Sequence, residues 1–372
     1  MYKVVEVTQE QREHFDDIIK EYPQCDFMQT YTWGNLKEKT GWVPFRLLFY
    51  KGEAVKGAAS ILKKKLPFSN FSFLYIPRGP LLDNFEDERV FESFMNEIKV
   101  LAKRERAIFV KFDPDIYGPA PVLKGYLKAK GYKSSRIRGN FSGLQPKHVC
   151  RLNLEKSLDE IFEGFSSKTR YNIRLAQKKG VTIKEGTIED IPIFYELLEE
   201  TCRRDNFGVR ALSYFEELYR HLIEGGKGKL LLASYNGRYI SGVLVIAHGP
   251  KAWYLYGASS DNYREVMPNY LLQWTAIAWA HQCGCKIYDF LGVASDFNPN
   301  STLYGMYKFK RGFNPEVVEF IGEYDMVLNK GMYLFWNLAE PLYLKALVNL
   351  GKLQLLLKKN LSRRQNCDPA VE

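Results

Sequence analysis

Residues Leu47–Leu62, LLFYKGEAVKGAASIL, and residues Leu231–Ile246, LLASYNGRYISGVLVI, decide the fold. Each reads as two apolar strands joined by a tight turn, Lys-Gly in the first and Asn-Gly in the second, the residue chemistry a short hairpin connection needs. Gly52 corresponds to Gly237 and Gly57 to Gly242. A hairpin that recurs with its glycines in register marks an internal duplication.

Working outward, both hairpins lead into an aromatic strand, Phe71–Ile76 in one copy and Ala252–Tyr256 in the other. A helix and a further strand follow, Glu86–Arg104 with Ala107–Phe112 and Pro268–His281 with Lys286–Leu291. Helical stretches precede each hairpin, Glu10–Glu21 with Tyr31–Glu38, and Ile191–Arg203 with Tyr214–Ile223. The order helix, helix, three antiparallel strands, helix, strand predicts an α+β fold of two tandem GNAT-type (acyl-CoA N-acyltransferase-like) domains. A GNAT enzyme that uses acyl-CoA needs a glycine-rich turn after its central strand to hold the pyrophosphate. The two junctions here read PRGPLLDNFEDER and GASSDNYREVMPNY and lack that spacing, which disfavours the usual donor.

The 372 residues suit two domains of ordinary size. With 46% hydrophobic and 26% charged residues, the composition is that of a globular protein rather than a disordered one. A formal charge of +10 favours polyanionic partners without identifying one. Six scattered cysteines read as reduced thiols, and the charged N-terminus carries no uninterrupted apolar stretch of the kind a signal peptide needs. No segment reaches the roughly 20 apolar residues of a membrane span. A cytoplasmic location follows as the expectation. The five histidines show no ligand spacing, so no metal is expected, and neither a G-x-S-x-G elbow nor a P-loop is present.

Several motifs in fixed order carry a family resemblance: Phe27-Met-Gln-Thr-Tyr-Thr-Trp-Gly34, Ile76-Pro-Arg-Gly-Pro80, Lys111-Phe-Asp-Pro114, Arg203-Arg-Asp-Asn-Phe207, Trp253-Tyr-Leu-Tyr256, and Leu303 through Phe313, LYGMYKFKRGF. Over nearly its whole length the chain resembles the Fem aminoacyltransferases that build the interpeptide bridges of peptidoglycan. It lacks a sustained charged heptad run and so resembles the shorter, armless form. The resemblance implies that domain one comprises residues 1–149 and is completed by about 319–372 with a C-terminal helical tail, while domain two spans 150–318. It also implies aminoacyl-tRNA as co-substrate with no cofactor, and a UDP-MurNAc-peptide or lipid II as acceptor.

Residue by residue, Lys310 matches the family's catalytic lysine, Phe309 the adjoining aromatic, and Asp113 an acidic residue near the acceptor amine. Lys37 and Arg210 match positions that hold the acceptor's phosphates, with Tyr214, Trp42, Tyr254 and Tyr256 as acceptor-side aromatics. Lys308 and Arg311 are then tRNA backbone contacts. Two of these assignments have plainer readings: an Asp-Pro after a strand is a common turn, and aromatics at strand spacing are usually core.

Two further segments are read from their own pattern. Ser166–Lys179 predicts a helix capped by Ser166 or Ser167 whose Lys168, Arg170 and Arg174 offer tRNA phosphate contacts or form a solvated face. From Pro341, taken as a helix start, Tyr343, Leu347, Leu350, Leu353 and Leu357 form a stripe beside Lys345, Lys352, Lys358 and Lys359. That pattern fits peripheral contact with the inner membrane leaflet, or a helix docked on domain one or on a second subunit. Two competing functions remain at this level: an acyltransferase of the same fold using acyl-CoA or another donor, and a non-catalytic RNA- or membrane-binding module.

Overall fold

The hairpin Leu47–Leu62 lies within one sheet, and its twin Leu231–Ile246 within another. The computed structural model describes residues 2–134, 143–205, 207–293 and 304–343. Residues as far as Met326 form one contact unit, and the described residues beyond it belong to a second.

The first half runs β1 (Tyr2–Glu6), α1 (Arg12–Lys20), α2 (Tyr31–Glu38), β2 (Val43–Lys51), β3 (Ala54–Lys65), β4 (Ser72–Ile76), β5 (Leu81–Leu82), α3 (Glu88–Arg104), β6 (Ala107–Phe112), α4 (Pro121–Ala129) and β7 (Lys133–Ser134). The second runs β8 (His148–Asn153), α5 (Leu158–Gly164), α6 (Ser167–Lys178), β9 (Thr182–Gly186), α7 (Ile191–Asp205), α8 (Leu212–Leu218), β10 (Gly228–Tyr235), β11 (Arg238–His248), β12 (Lys251–Ser259), α9 (Pro268–Gln282), β13 (Ile287–Gly292), α10 (Tyr304–Arg311) and β14 (Glu316–Glu319). A last strand, β15 (Tyr324–Val327), lies between β6 and β7. The sheets are ordered β1-β2-β3-β4-β6-β15-β7, with β5 pairing β3, and β14-β8-β13-β12-β11-β10-β9. Strand β4 runs parallel to β6 in the first sheet, and β12 parallel to β13 in the second.

The duplication is visible in what the matched glycines do. Gly52 and Gly237 take φ +63° and +73° in their turns, a region that penalises a Cβ. On Gly57 a Cβ would approach Leu82 to 2.5 Å, and on Gly242 it would approach both Leu232 and Phe194 to 2.8 Å. Each glycine therefore lets a neighbouring layer close onto the central hairpin. Strands β1 and β9, which begin the two copies, are absent from the sequence reading. Their pairings are with β2 and β10, residues far along the chain, so local pattern gives little sign of them.

Three features tie the halves together within the first unit. The FMQTYTWG segment inserts Phe27, Met28, Trp33 and Leu36 into a core formed with α7, α8 and β10–β12, where the Phe27 ring meets Trp253 edge-on at 5.1 Å. Glu323, just before β15, and Asp325 within it lie 3.3 and 2.8 Å from the Lys111 ammonium of β6. Finally, Asp115 receives a bidentate Arg151 fork at 3.0 and 2.5 Å and the Lys251 ammonium at 2.8 Å, while the Arg151 Nε donates to Asp289 at 2.9 Å. All four side chains are buried.

Beyond Met326 a helix spans 330–343, with the Asn329 side chain accepting from the Met332 N–H at 3.1 Å. This corrects the expected helix start: Asn329 caps the helix about three turns earlier, and Pro341 falls in its described C-terminal part. The stripe from Leu347 onward lies outside the described residues.

Gly57→Ala and Gly242→Ala should each lower stability by about 1–3 kcal/mol, because the new methyl meets a packed layer. Gly164→Ala, with no heavy atom within 4 Å of the added carbon, should leave the denaturation midpoint in place. Chemical denaturation of the three variants followed by tryptophan fluorescence checks this.

Candidate functional site

Strand β13 ends in an irregularity that builds the first part of the site. Its register with β8 shifts between Asp289 and Gly292, and Leu291 adopts φ +59°, a left-handed conformation costly for a branched residue. The Asp289 carboxylate holds this turn by accepting from the Leu291 N–H at 2.7 Å. Reversal of the backbone presents two carbonyls to α10, and the Lys310 ammonium donates to the Gly292 oxygen at 2.7 Å and lies 3.4 Å from that of Leu291. Burial lowers the Lys310 pKa to about 8, against the opposing influence of Cys150 and Asp289. Asp289 is anchored in turn by Arg151, and so by Asp115, whose burial is more than offset by Lys251 and Arg151 so that its pKa sits at about 2.

Next to Lys310 on α10, the Phe309 ring meets Tyr270 edge-on at 5.1 Å and lines a cleft of about 480 Å³ with Ser260, Arg264, Asn269 and Tyr270. The cleft lies where β12 gives way to α9. Here β12 pairs with β13 only over Lys251–Trp253, so the rest of β12 parts from its neighbour. The equivalent junction in the first half is filled. Gln29 donates to the carbonyls of Pro77 at 2.6 Å and Ser60 at 3.2 Å, and a Cβ on Gly79 would collide with it. The Arg78 guanidinium lies 4.2 Å over the Phe320 ring and donates to Pro146.

Asp113 belongs to that filled junction. Its carboxylate accepts from the Arg78 N–H at 2.9 Å and the Tyr75 hydroxyl at 3.2 Å, and burial raises its pKa despite Arg78. Both oxygens thus fix the IPRGP turn, the arrangement expected of a strand-ending turn residue.

A second cluster gathers cations. Lys37, at the end of α2, lies 4.8 Å over the Trp33 ring, and Arg210 lies 4.7 Å over Tyr214. Burial lowers the Lys37 pKa to about 8, and the charges of Arg210 and Lys64 push the same way, which places all three in one electrostatic neighbourhood. Among the described residues no carboxylate forms an ion pair with any of them. Lys64 escaped the sequence reading although the run Lys63-Lys64-Lys65 at the end of β3 was a signal. Its ammonium donates to the carbonyls of Thr40 and Gly41 at 3.2 and 3.0 Å and lies 5.3 Å over the Trp42 ring. The Trp42 backbone N–H donates to the Lys37 carbonyl at 3.3 Å.

Burial, and next the neighbouring Tyr256, raise the Tyr214 pKa, and the Tyr256 ring packs edge-on against Phe215 at 5.0 Å. Tyr254 does not join them. A bulge opposite Leu244 and Val245 interrupts the alternation of β12, so Tyr254 packs with the α9 side of the sheet and Tyr256 with the α7–α8 side. A Cβ on Gly257 would collide with the Tyr254 hydroxyl, which shows how closely that ring folds over its own strand.

The basic positions divide. Lys308, Arg311 and Lys168 are exposed, and Arg311 lines a second cleft of about 370 Å³ with Ser166 and Asn314. Arg170 instead donates to the carbonyls of Glu163 and Phe165 at 2.5 and 2.7 Å, locking the α5–α6 turn, and Arg174 lies 3.8 Å from the Glu163 carboxylate.

This arrangement has counterparts. Residues 10–238 and 229–341 match the FemAB family. A lipid II:glycine glycyltransferase of Staphylococcus haemolyticus (strain JCSC1435) is 30% identical over 92% of this chain and 97% of that protein. A crystal structure of FemX superposes with a TM-score of 0.83 at 27% identity, covering 90% of this chain and 99% of that one. A tandem GNAT protein from the clavulanic acid biosynthesis pathway shares the fold, with a TM-score of 0.53 at 13% identity over 88% of this chain and 98% of that one. With two duplicated GNAT-type halves and a family match along most of its length, the chain belongs to the FemAB family.

Proposed function

We propose that the protein transfers an aminoacyl group from aminoacyl-tRNA to the stem-peptide amine of a peptidoglycan precursor, forming an interpeptide bridge. The observation that carries this reading is the asymmetry of the two halves. The first junction is filled by Gln29 and Arg78, while the second opens beside Phe309, the neighbour of Lys310 on α10. One donor therefore enters, from the side of α9 and α10. The glycyltransferase relative named above acts on lipid II, and we take a lipid-linked muropeptide as the acceptor here, its diphosphate held by Lys37, Arg210 and Lys64.

The chemistry is aminolysis of an ester. The acceptor amine attacks the aminoacyl carbonyl, a C–N bond forms, the C–O bond to the terminal ribose breaks, and the displaced ribose oxygen takes up a proton. The intermediate is a tetrahedral oxyanion, so a fixed ammonium contributes charge where it develops, and alignment of the two substrates contributes the rest. Lys310 fills the first role. Phe309 and Tyr270 offer ring faces to the terminal nucleotide, and Lys308, Arg311, Lys168 and Arg174 contact tRNA phosphates, while Arg170 also holds the α5–α6 turn. Trp42, Tyr214 and Tyr256 shape the acceptor side, and Asp113 acts by holding the IPRGP turn. No cofactor is required, and the enzyme works at the cytoplasmic face of the membrane.

Transfer of radiolabel from aminoacyl-tRNA to lipid II tests the reading. Turnover with acetyl-CoA and none with aminoacyl-tRNA would replace it with the acyl-CoA alternative. Lys310→Met should lower kcat by about 10²–10³-fold with little change in the acceptor KM. Because burial sets the Lys310 pKa near 8, its positive charge is present below that value and lost above it. The rate should therefore carry a descending limb through about pH 8 that Lys310→Arg moves to higher pH, read from kcat against pH. Lys37→Met and Arg210→Met should each raise the acceptor KM about 10–100-fold, the size of a lost charge-assisted phosphate contact, while leaving the KM for aminoacyl-tRNA in place.

A further inference from the structure

The helix at 330–343 wears its apolar side outward. Leu334 is 65% exposed, Phe335 63%, Leu338 77% and Leu342 69%. With Gly331 and Pro341 these fall at helical spacing on one face, and every position of that face is uncharged. On the other side Trp336 is buried and its ring lies 6.0 Å from that of Tyr343. A surface helix of a globular protein has the opposite arrangement, and exposed apolar stripes of this kind mark surfaces with a partner.

Charge indicates which partner. Between residues 330 and 364 the sequence carries seven cations, Lys330, Lys345, Lys352, Lys358, Lys359, Arg363 and Arg364, against the single acid Glu340. A second copy of the chain would set like charges against each other, whereas an anionic lipid leaflet attracts them. No described helix is long and apolar enough to cross a membrane. We infer that this helix lies in the headgroup region of an anionic membrane, its leucines and Phe335 immersed. The inference rests on the reading that the acceptor is lipid-linked, since a docked enzyme then searches a surface for its substrate instead of a volume.

Sedimentation of the full chain with vesicles tests it, and needs no transfer activity. Binding to phosphatidylcholine vesicles containing phosphatidylglycerol, weakened by salt and at least about tenfold weaker to phosphatidylcholine alone, is the expected result. Leu334→Gln with Leu338→Gln should reduce binding to the mixed vesicles about tenfold or more without changing the far-ultraviolet circular dichroism. The same variant should transfer to a soluble UDP-linked acceptor, where that acceptor is used, at the native rate. Equal binding by native and variant chains overturns the proposal. So does a native dimer that the substitutions dissociate, which would assign the face to a second copy, or a lowered denaturation midpoint, which would show that the chain itself covers it. Vesicle binding without transfer to lipid II leaves this inference standing and removes the acceptor reading instead.

Discussion

Four buried charges, Asp115, Arg151, Lys251 and Asp289, set the geometry on which the site depends. Removing charges from water is expensive, and a buried ion network seldom adds net stability over an apolar core. What such a network does impose is a definite arrangement, because each carboxylate oxygen and each N–H must find its partner. Here Asp115 follows β6 of the first half, while Arg151, Lys251 and Asp289 lie on three adjacent strands of the second. The Asp289 carboxylate serves both the network and the Leu291 N–H, so the turn that presents carbonyls to Lys310 is tied to the register of the two halves.

Duplication supplied two equivalent strand–helix junctions, and the halves have diverged at that point. In the first, the two motifs FMQTYTWG and IPRGP lock together through Gln29, and a side chain at Gly79 would break the lock. In the second, the parting of β12 from β13 leaves a cleft with Phe309 on its wall. The cation cluster lies with α2 and α8 on the other side of the second sheet from Tyr254 and α9. The cleft and the cation cluster thus lie on different sides of one sheet.

The hairpins, with Gly52, Gly57, Gly237 and Gly242, made the fold readable because a two-residue turn and a close approach each demand glycine locally. The helix α3 after the first hairpin was readable from its apolar period, while α9 after the second is apolar nearly all round. Strands β1 and β9 were not, since their partners lie tens of residues away and their own residues carry little alternation. The site divides the same way. Lys310, Lys37 and Arg210 came from motif resemblance, and the structure puts Lys37 and Arg210 in one neighbourhood. The Asp115–Arg151–Asp289 chain has no spacing signature, because its members meet only when the two sheets are in place. Tyr254 and Tyr256 illustrate the limit of periodicity: two residues apart, they belong on one face until a bulge separates them.

The most direct test of this account is the pH dependence of single-turnover aminoacyl transfer in Asp289→Asn. The amide still accepts from the Leu291 N–H, but the negative charge that helps to keep Lys310 protonated is gone. The account requires a slower step whose descending limb moves to lower pH than in the native enzyme. An unchanged rate with an unmoved limb would contradict it, because Lys310 would then work without the network that we hold responsible for its position and charge.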